Sequence, residues 1–172
     1  TGVVHPETLH HLKNSRTGRY LYDINHPYSN GVPEGFSSWE DWWRNSVTTF
    51  VSDLHDSMQV VKPFVRLSAA VLGRYNWGGW QGYGTVYQDG ALWFNQGFVD
   101  QLTPMHYHWT TPNGFAQMLQ GSNESWLPYI QEGVSDGRLF SVGPGSYILA
   151  DQNLWDNPVS YTHLTLPTIR EV

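Results

Sequence analysis

Hydrophobic side chains recur at helical spacing over Trp39, Trp43, Val47, Phe50, Val51, Leu54, Met58 and Val61, the longest periodic stretch of the chain. Ser37 and Glu40 stand at its head with the spacing of a capping box, in which each side chain takes up the other's free N–H. Pro63 closes it, because proline cannot continue the helical ladder. The pattern predicts one amphipathic helix between Ser37 and Pro63. The next run, Phe64 to Val71, is largely apolar and predicts a strand covered on both faces. Gln88-Asp89-Gly90 reads as a turn whose Asp89 caps a helix over Ala91 to Gln96, with Gly97 in the left-handed position beyond its end. A second strand follows over Phe98 to Thr103, then a helical patch around Trp126 to Glu132, then a third strand over Arg138 to Val142. The strands begin roughly 35 to 40 residues apart with a helix in each interval, the requirement of right-handed βαβ units. Thr1 to Pro33 is loop-like, with one helical turn at Glu7 to Lys13.

The 172 residues suffice for one sizeable core but fall short of the about 250 of a complete (β/α)8 barrel. A formal charge of −6, with 14% charged residues and no basic run, argues against a nucleic-acid surface. No apolar run approaches the about 18 residues of a membrane span. With no cysteine, disulfides and thiolate metal sites are excluded. Aromatic residues make up 15% of the chain, and flat rings at that density suit sugar stacking as well as core filling.

The polar chemistry gathers at strand ends, where parallel α/β folds build their sites. Pro104-Met105-His106-Tyr107-His108-Trp109 stands at the end of the strand that begins at Phe98. Strand alternation places His106 and His108 on one face and Tyr107 on the other, unless a bulge intervenes. Two histidines without a third ligand do not make a catalytic zinc site, so no metal and no cofactor is expected. Hydrogen bonding to sugar hydroxyls or to a carboxylate, or simply a satisfied rim, fits these residues. Trp77, Trp80 and Tyr83 occupy the glycine-rich loop after the first strand, as a sugar-stacking platform or as packing over a helix. Trp109 and Tyr147 are candidates of the same type. Arg66, inside an apolar run, needs a partner if it points inward, either a carboxylate that it orients or a structural ion pair. Asp23, in a polar stretch among aromatics, serves either a substrate loop or local turn hydrogen bonds.

Several pieces, in order, resemble the glycosyl-hydrolase-like family 10 proteins. They are the helix start Trp39 to Val47 with Trp43-Arg44-Asn45, and the Lys62-Pro63 entry into a strand ending at Ser68. Tyr87-Gln88-Asp89 with Trp93 and Gly97 follows, and then the Val99-Asp100 strand closing in Pro104-Met105 and Tyr107. The resemblance covers about Trp39 to Tyr147. It implies an α/β fold, part of a (β/α)8 TIM barrel, and glycoside hydrolysis in exported or lipid-anchored bacterial proteins. Some members act on peptidoglycan strands stripped of peptide. An Asp-Gly-(Ile/Val)-x-x-Asp-Tyr-x-Arg-Tyr-Pro strand of the family is missing and is expected upstream of Thr1, and Met105-His106 replaces the Gln that follows Pro in many members. The chain is therefore expected to be a barrel fragment over Thr1 to Pro158, about the fifth to seventh strands. Val159 to Val172 resembles a translated sequencing adaptor and is expected to be non-native.

Glycoside cleavage usually needs two carboxyl groups roughly 5 to 9.5 Å apart. A cap position stabilises Asp89 as the anion, which suits a base or nucleophile; the alternative is a purely structural cap. Asp100, near the start of its strand, is expected to be structural. The sequence thus points to a glycosidase acting on a polysaccharide, with Asp89, His106 and Tyr107 as catalytic candidates. Trp77, Trp80, Tyr83, His108, Trp109, Tyr147, Arg66 and Asp23 are its substrate-binding candidates. A non-catalytic carbohydrate-binding barrel and an amylase-like hydrolase are the alternatives.

Overall fold

The computed structural model describes residues 31–121, 123–146 and 148. The expected turn at Glu7 to Lys13, Asp23, Tyr147 and the tail from Val159 lie outside the described residues.

Helix α1 spans Trp39–Val61. Its cap lies one residue later than the capping box predicts: Ser38 accepts from the Asp41 N–H at 3.1 Å, while Ser37 donates to the Asp41 carboxylate. These hydrogen bonds, with Arg44 beside them, lower the Asp41 pKa, and the anion suits the helix's N-terminal end. The buried face is also turned from the predicted one. Trp42 and Ser46 are buried, whereas Phe50 and Leu54 in the middle of the stripe are 49% and 38% exposed. Ser46 is tolerated inside because its hydroxyl donates to the Trp42 carbonyl at 2.8 Å. Val47 and Val51 pack against the core, and Trp93 Nε1 donates to Thr48 Oγ1 at 2.9 Å to tie α1 to the next layer.

Strand β1 (Ser68–Ala69) begins the sheet. Residues 64–66 ahead of it are exposed, and burial alternates from Leu67 to Val71. The expectation of a strand covered on both faces is therefore corrected. The physical reason is that one face alone, Leu67, Ala69 and Val71, meets the core; among the described residues the strand order is β1-β2-β4, with β2 Gln101–Leu102 in the centre, β4 Leu139–Phe140 on its far side and β1 at the edge. Both pairings are parallel. Beyond them β3 (Met105–His106) pairs in parallel with β5 (Gly143–Pro144). Backbone bonds from Thr103 to Ala69, Met105 to Val71, Ser141 to Leu102 and Gly143 to Pro104 carry one ladder through both sets. Pro104, which has no N–H to give, stands at the break between β2 and β3.

Helices α2 (Gly82–Thr85) and α3 (Gly90–Asn95) lie between β1 and β2; α4 (Pro112–Gln120) and α5 (Leu127–Ser135) lie between β3 and β4. This is the alternation of strand and helix that a parallel α/β fold requires, as the sequence predicts. Gly97 takes the left-handed conformation expected of it, with φ 76°. Helix α4 is an addition to the predicted set. Thr111 caps it by accepting from the Gly114 N–H, Pro112 opens it, and Phe115, Met118 and Leu119 bury its inner face. The core lies between the sheet and these helices, built on Trp93, Phe94, Val99, Leu102, Trp126 and Ile130. Each such side chain contributes about 1.5–3 kcal/mol by leaving water. Asn95 links α3 to α5, donating to the Tyr129 carbonyl at 2.8 Å and accepting from the Gly133 N–H at 3.0 Å.

Candidate functional site

The C-terminal ends of β1 and β3 meet closely because Gly73 has no side chain: a Cβ there would lie 2.5 Å from the Met105 carbonyl oxygen. Trp126 fixes this junction from below, donating from Nε1 to the Gly73 carbonyl at 2.8 Å, and Gln88 accepts from the Leu72 N–H at 3.1 Å. A cleft of about 320 Å³ opens above it. Arg74 and Trp80 line the β1 side; Tyr107, His108 and Trp109 line the β3 side.

Four of the sequence-predicted residues thus come together: Trp80, Tyr107, His108 and Trp109. The platform of three rings does not form as one face. Trp80 is 66% exposed, but Trp77 is buried, stacked on Tyr129 with centroids 6.3 Å apart and edge-on to Trp126 at 5.9 Å. Tyr83 lies under the Arg44 guanidinium, 3.6 Å from its ring centroid, and against Tyr75. The loop's glycines let it fold back, so two rings enter the core and one stays outside.

The histidines also part, contrary to the shared face expected from alternation. Strand β3 stops at His106 and the backbone turns over Tyr107 and His108. His108 is exposed, while His106 is fully buried against Trp109 at 5.4 Å and Phe140 at 6.3 Å. Neither ring nitrogen of His106 has a hydrogen-bond partner among the described residues. Burial pushes its pKa down to about 3, so the ring is neutral at ordinary pH. Among the described residues no group of three or more His, Asp or Glu side chains is arranged to hold a metal.

Asp89 sits on the α3 side of the sheet and is not part of the cleft wall. It caps α3 through the Leu92 N–H at 3.2 Å and accepts from the Tyr75 hydroxyl at 2.6 Å. Burial, and then the Asp89 carboxylate, push the Tyr75 phenol well above its ordinary range. Asp100 accepts from the Leu67 N–H at 2.7 Å, a structural tie at the start of its strand. Arg66 is exposed at that same N-terminal end, in a polar hollow with Asp136 and Arg138. Arg66 is thus exposed rather than turned into the sheet, and it is not among the described residues that line the cleft. No carboxylate lines the cleft among the described residues.

Arg74 was not among the sequence candidates, although it is the first charged residue after the apolar strand. Glu124, on the loop before α5, does not line the cleft. Its φ of 53° is one of two left-handed non-glycine conformations among the described residues, the other being Tyr87 at 60°.

The fold defined here is a parallel α/β arrangement with an aromatic and polar cleft at the C-terminal ends of its strands. A family model described as glycosyl hydrolase-like 10 matches residues 10–134, and the chain belongs to that family. No curated protein matches the chain. The family relates the chain to glycoside hydrolases and to saccharide ligands. No helix among the described residues is long and apolar enough to cross a membrane.

Proposed function

We propose that the chain forms part of a (β/α)8-barrel glycosidase that cleaves a polysaccharide by carboxylate acid/base chemistry. The observation that supports this most is the cleft at the ends of β1 and β3, with Trp80, Tyr107, His108 and Trp109 gathered on it. Exposed indole suits the apolar face of a sugar ring, and the phenol and imidazole suit its hydroxyls. The acid and base come from outside the cleft wall described here. Asp23 is one candidate within this chain, and Asp89 is the other, provided that it exchanges Tyr75 for a substrate proton. Peptide-free peptidoglycan strands are one substrate in view.

A second reading is a barrel that binds carbohydrate without cutting it: among the described residues the cleft is lined by Trp80, Tyr107, His108, Trp109 and Arg74, groups that suit binding. The two separate on glycan release from a panel of peptide-free peptidoglycan strands and plant and microbial polysaccharides, with Trp80→Ala and Asp89→Asn beside the parent. Release that falls at least tenfold in Trp80→Ala, with an unchanged melting curve, supports the cleft. Release that survives in Asp89→Asn assigns Asp89 to capping alone. Binding without release supports the second reading, and no binding at all defeats both.

A further inference from the structure

Among the described residues that line the cleft, Arg74 is the only Lys or Arg, and none of them is an Asp or Glu. The side chain is half-buried and held in place. Its Nη1 donates to the Gly78 carbonyl at 2.6 Å, and its guanidinium carbon lies 5.7 Å from the Trp109 ring centroid. Gly79, with φ 72°, passes so close that a Cβ there would sit 2.8 Å from Nη1, so the glycine loop folds directly onto the cation. A guanidinium has five N–H donors in a planar fork, and this hydrogen bond uses one. No carboxylate among the described residues forms an ion pair with it. Glu124 approaches Gly78 but remains beyond ion-pair distance from Arg74.

A positioned guanidinium without a carboxylate partner, beside the rings of Trp80 and Trp109, is complementary to a sugar that carries its own anion. We propose that the cleft selects a glycan bearing carboxylate groups, and that Arg74 is the specificity-determining residue that receives the carboxylate. The planar two-oxygen geometry of a carboxylate matches the guanidinium fork, which an ammonium cannot reproduce. The inference rests on the cleft being a saccharide site and adds the class of saccharide.

The test is equilibrium binding of the full chain to oligogalacturonate, to the same oligomer with its carboxyl groups reduced to alcohols, and to a sulfated neutral oligosaccharide. The expected result is that the carboxylate oligomer binds about tenfold to a hundredfold more tightly than its reduced form, the range for a charged hydrogen-bonded contact. Arg74→Gln should abolish that preference, costing the carboxylate oligomer more affinity than the reduced one until the two bind alike, and Arg74→Lys should restore only part of it. Thermal melting of each variant checks the fold. Equal affinity for native and reduced oligomers overturns the proposal and leaves the saccharide cleft standing. So does tighter binding of the sulfated oligomer than of the carboxylate one, or an Arg74→Gln loss shared equally by all three ligands. Failure of every oligomer to bind defeats the saccharide cleft itself, and the proposal with it.

Discussion

Tyr75 and the cap of helix α3 share one atom: Asp89 Oδ1 accepts both the Tyr75 hydroxyl at 2.6 Å and the Leu92 N–H at 3.2 Å. The carboxylate therefore holds the loop that leaves β1 to the helix that returns toward β2. Because Tyr75 is itself buried among Tyr83, Trp126 and Tyr129, the bond anchors an aromatic cluster as well as a helix end.

Removing either partner is expected to cost stability in a coupled way. Tyr75→Phe should lower it by about 1.5–3 kcal/mol, the range for a hydrogen bond to a charged group, and Asp89→Ala should lose the cap in addition. In a double-mutant cycle read by urea denaturation, the pair should show a coupling energy of about 1 kcal/mol or more. Strictly additive losses would mean that the bond contributes little.

His106 predicts an acid limb. Its folded pKa of about 3 lies below the ordinary 6.5, so between these values the unfolded chain binds the extra proton. Stability from this residue is complete above pH 6.5 and falls as the pH drops toward 3, with a slope of at most about 1.4 kcal/mol per pH unit. His106→Leu should flatten that limb and hold or raise the melting temperature at pH 7, since an unpartnered buried imidazole is replaced by an apolar side chain. An unchanged limb in the variant would transfer the acid sensitivity to other groups.

Gly133 is where α5 crosses α3. A Cβ on it would meet the Phe94 ring and lie 2.9 Å from the Phe94 carbonyl oxygen. Gly133→Ala, which elsewhere in a helix gains stability, should here lose about 1–3 kcal/mol through overpacking. A melting curve that moves upward would show that the two helices can separate without penalty.

Trp126 joins core and cleft. Trp126→Phe keeps most of the apolar volume but leaves the Gly73 carbonyl without its donor, at a cost of about 1–3 kcal/mol. Since Gly73 seats Arg74, saccharide affinity should weaken as well, although Trp126 does not line the cleft. Lost stability with unchanged affinity would show that the β1 end is held by Gln88 alone.

Local signals in the sequence were strong where a single turn of chain decides the outcome. Asp89 as a cap, Gly97 in the left-handed position and Pro63 beyond α1 each follow from backbone chemistry within three or four residues. The alternation of three parallel strands with helices was legible too, because spacing alone constrains it. What failed depended on neighbours far along the chain. Along the α1 stripe Val47 and Val51 pack against the core while Phe50 and Leu54 stay outside, a division that the periodicity alone does not contain. Trp77 and Trp80 are both tryptophans of one glycine-rich loop, and only the folded position of α5 decides which of them is buried. Strand alternation at His106 and His108 was broken by a turn that no residue between them announces. Helix α4, by contrast, had a readable start in Thr111-Pro112 and a readable face in Phe115, Met118 and Leu119. Arg74 was open to the same reasoning that singled out the end of β3: it is the first charged residue beyond an apolar strand.

The central place of β2 has a kinetic consequence. Its ties to β1 and β4 join residues distant in sequence: Leu67 to Asp100, 33 residues apart, and Gln101 to Ser141, 40 apart. Neither side of the strand can be satisfied until a long loop has closed, and the entropy of closure precedes the reward. Within the segment from Gly90 to Leu102, by contrast, the contacts are close in sequence: α3 turns back to its own strand with the Phe98 and Val99 N–H groups both donating to the Trp93 carbonyl. Folding should therefore start there and recruit β1 and β4 afterwards, which makes the α3 cap a determinant of refolding rate as well as of stability.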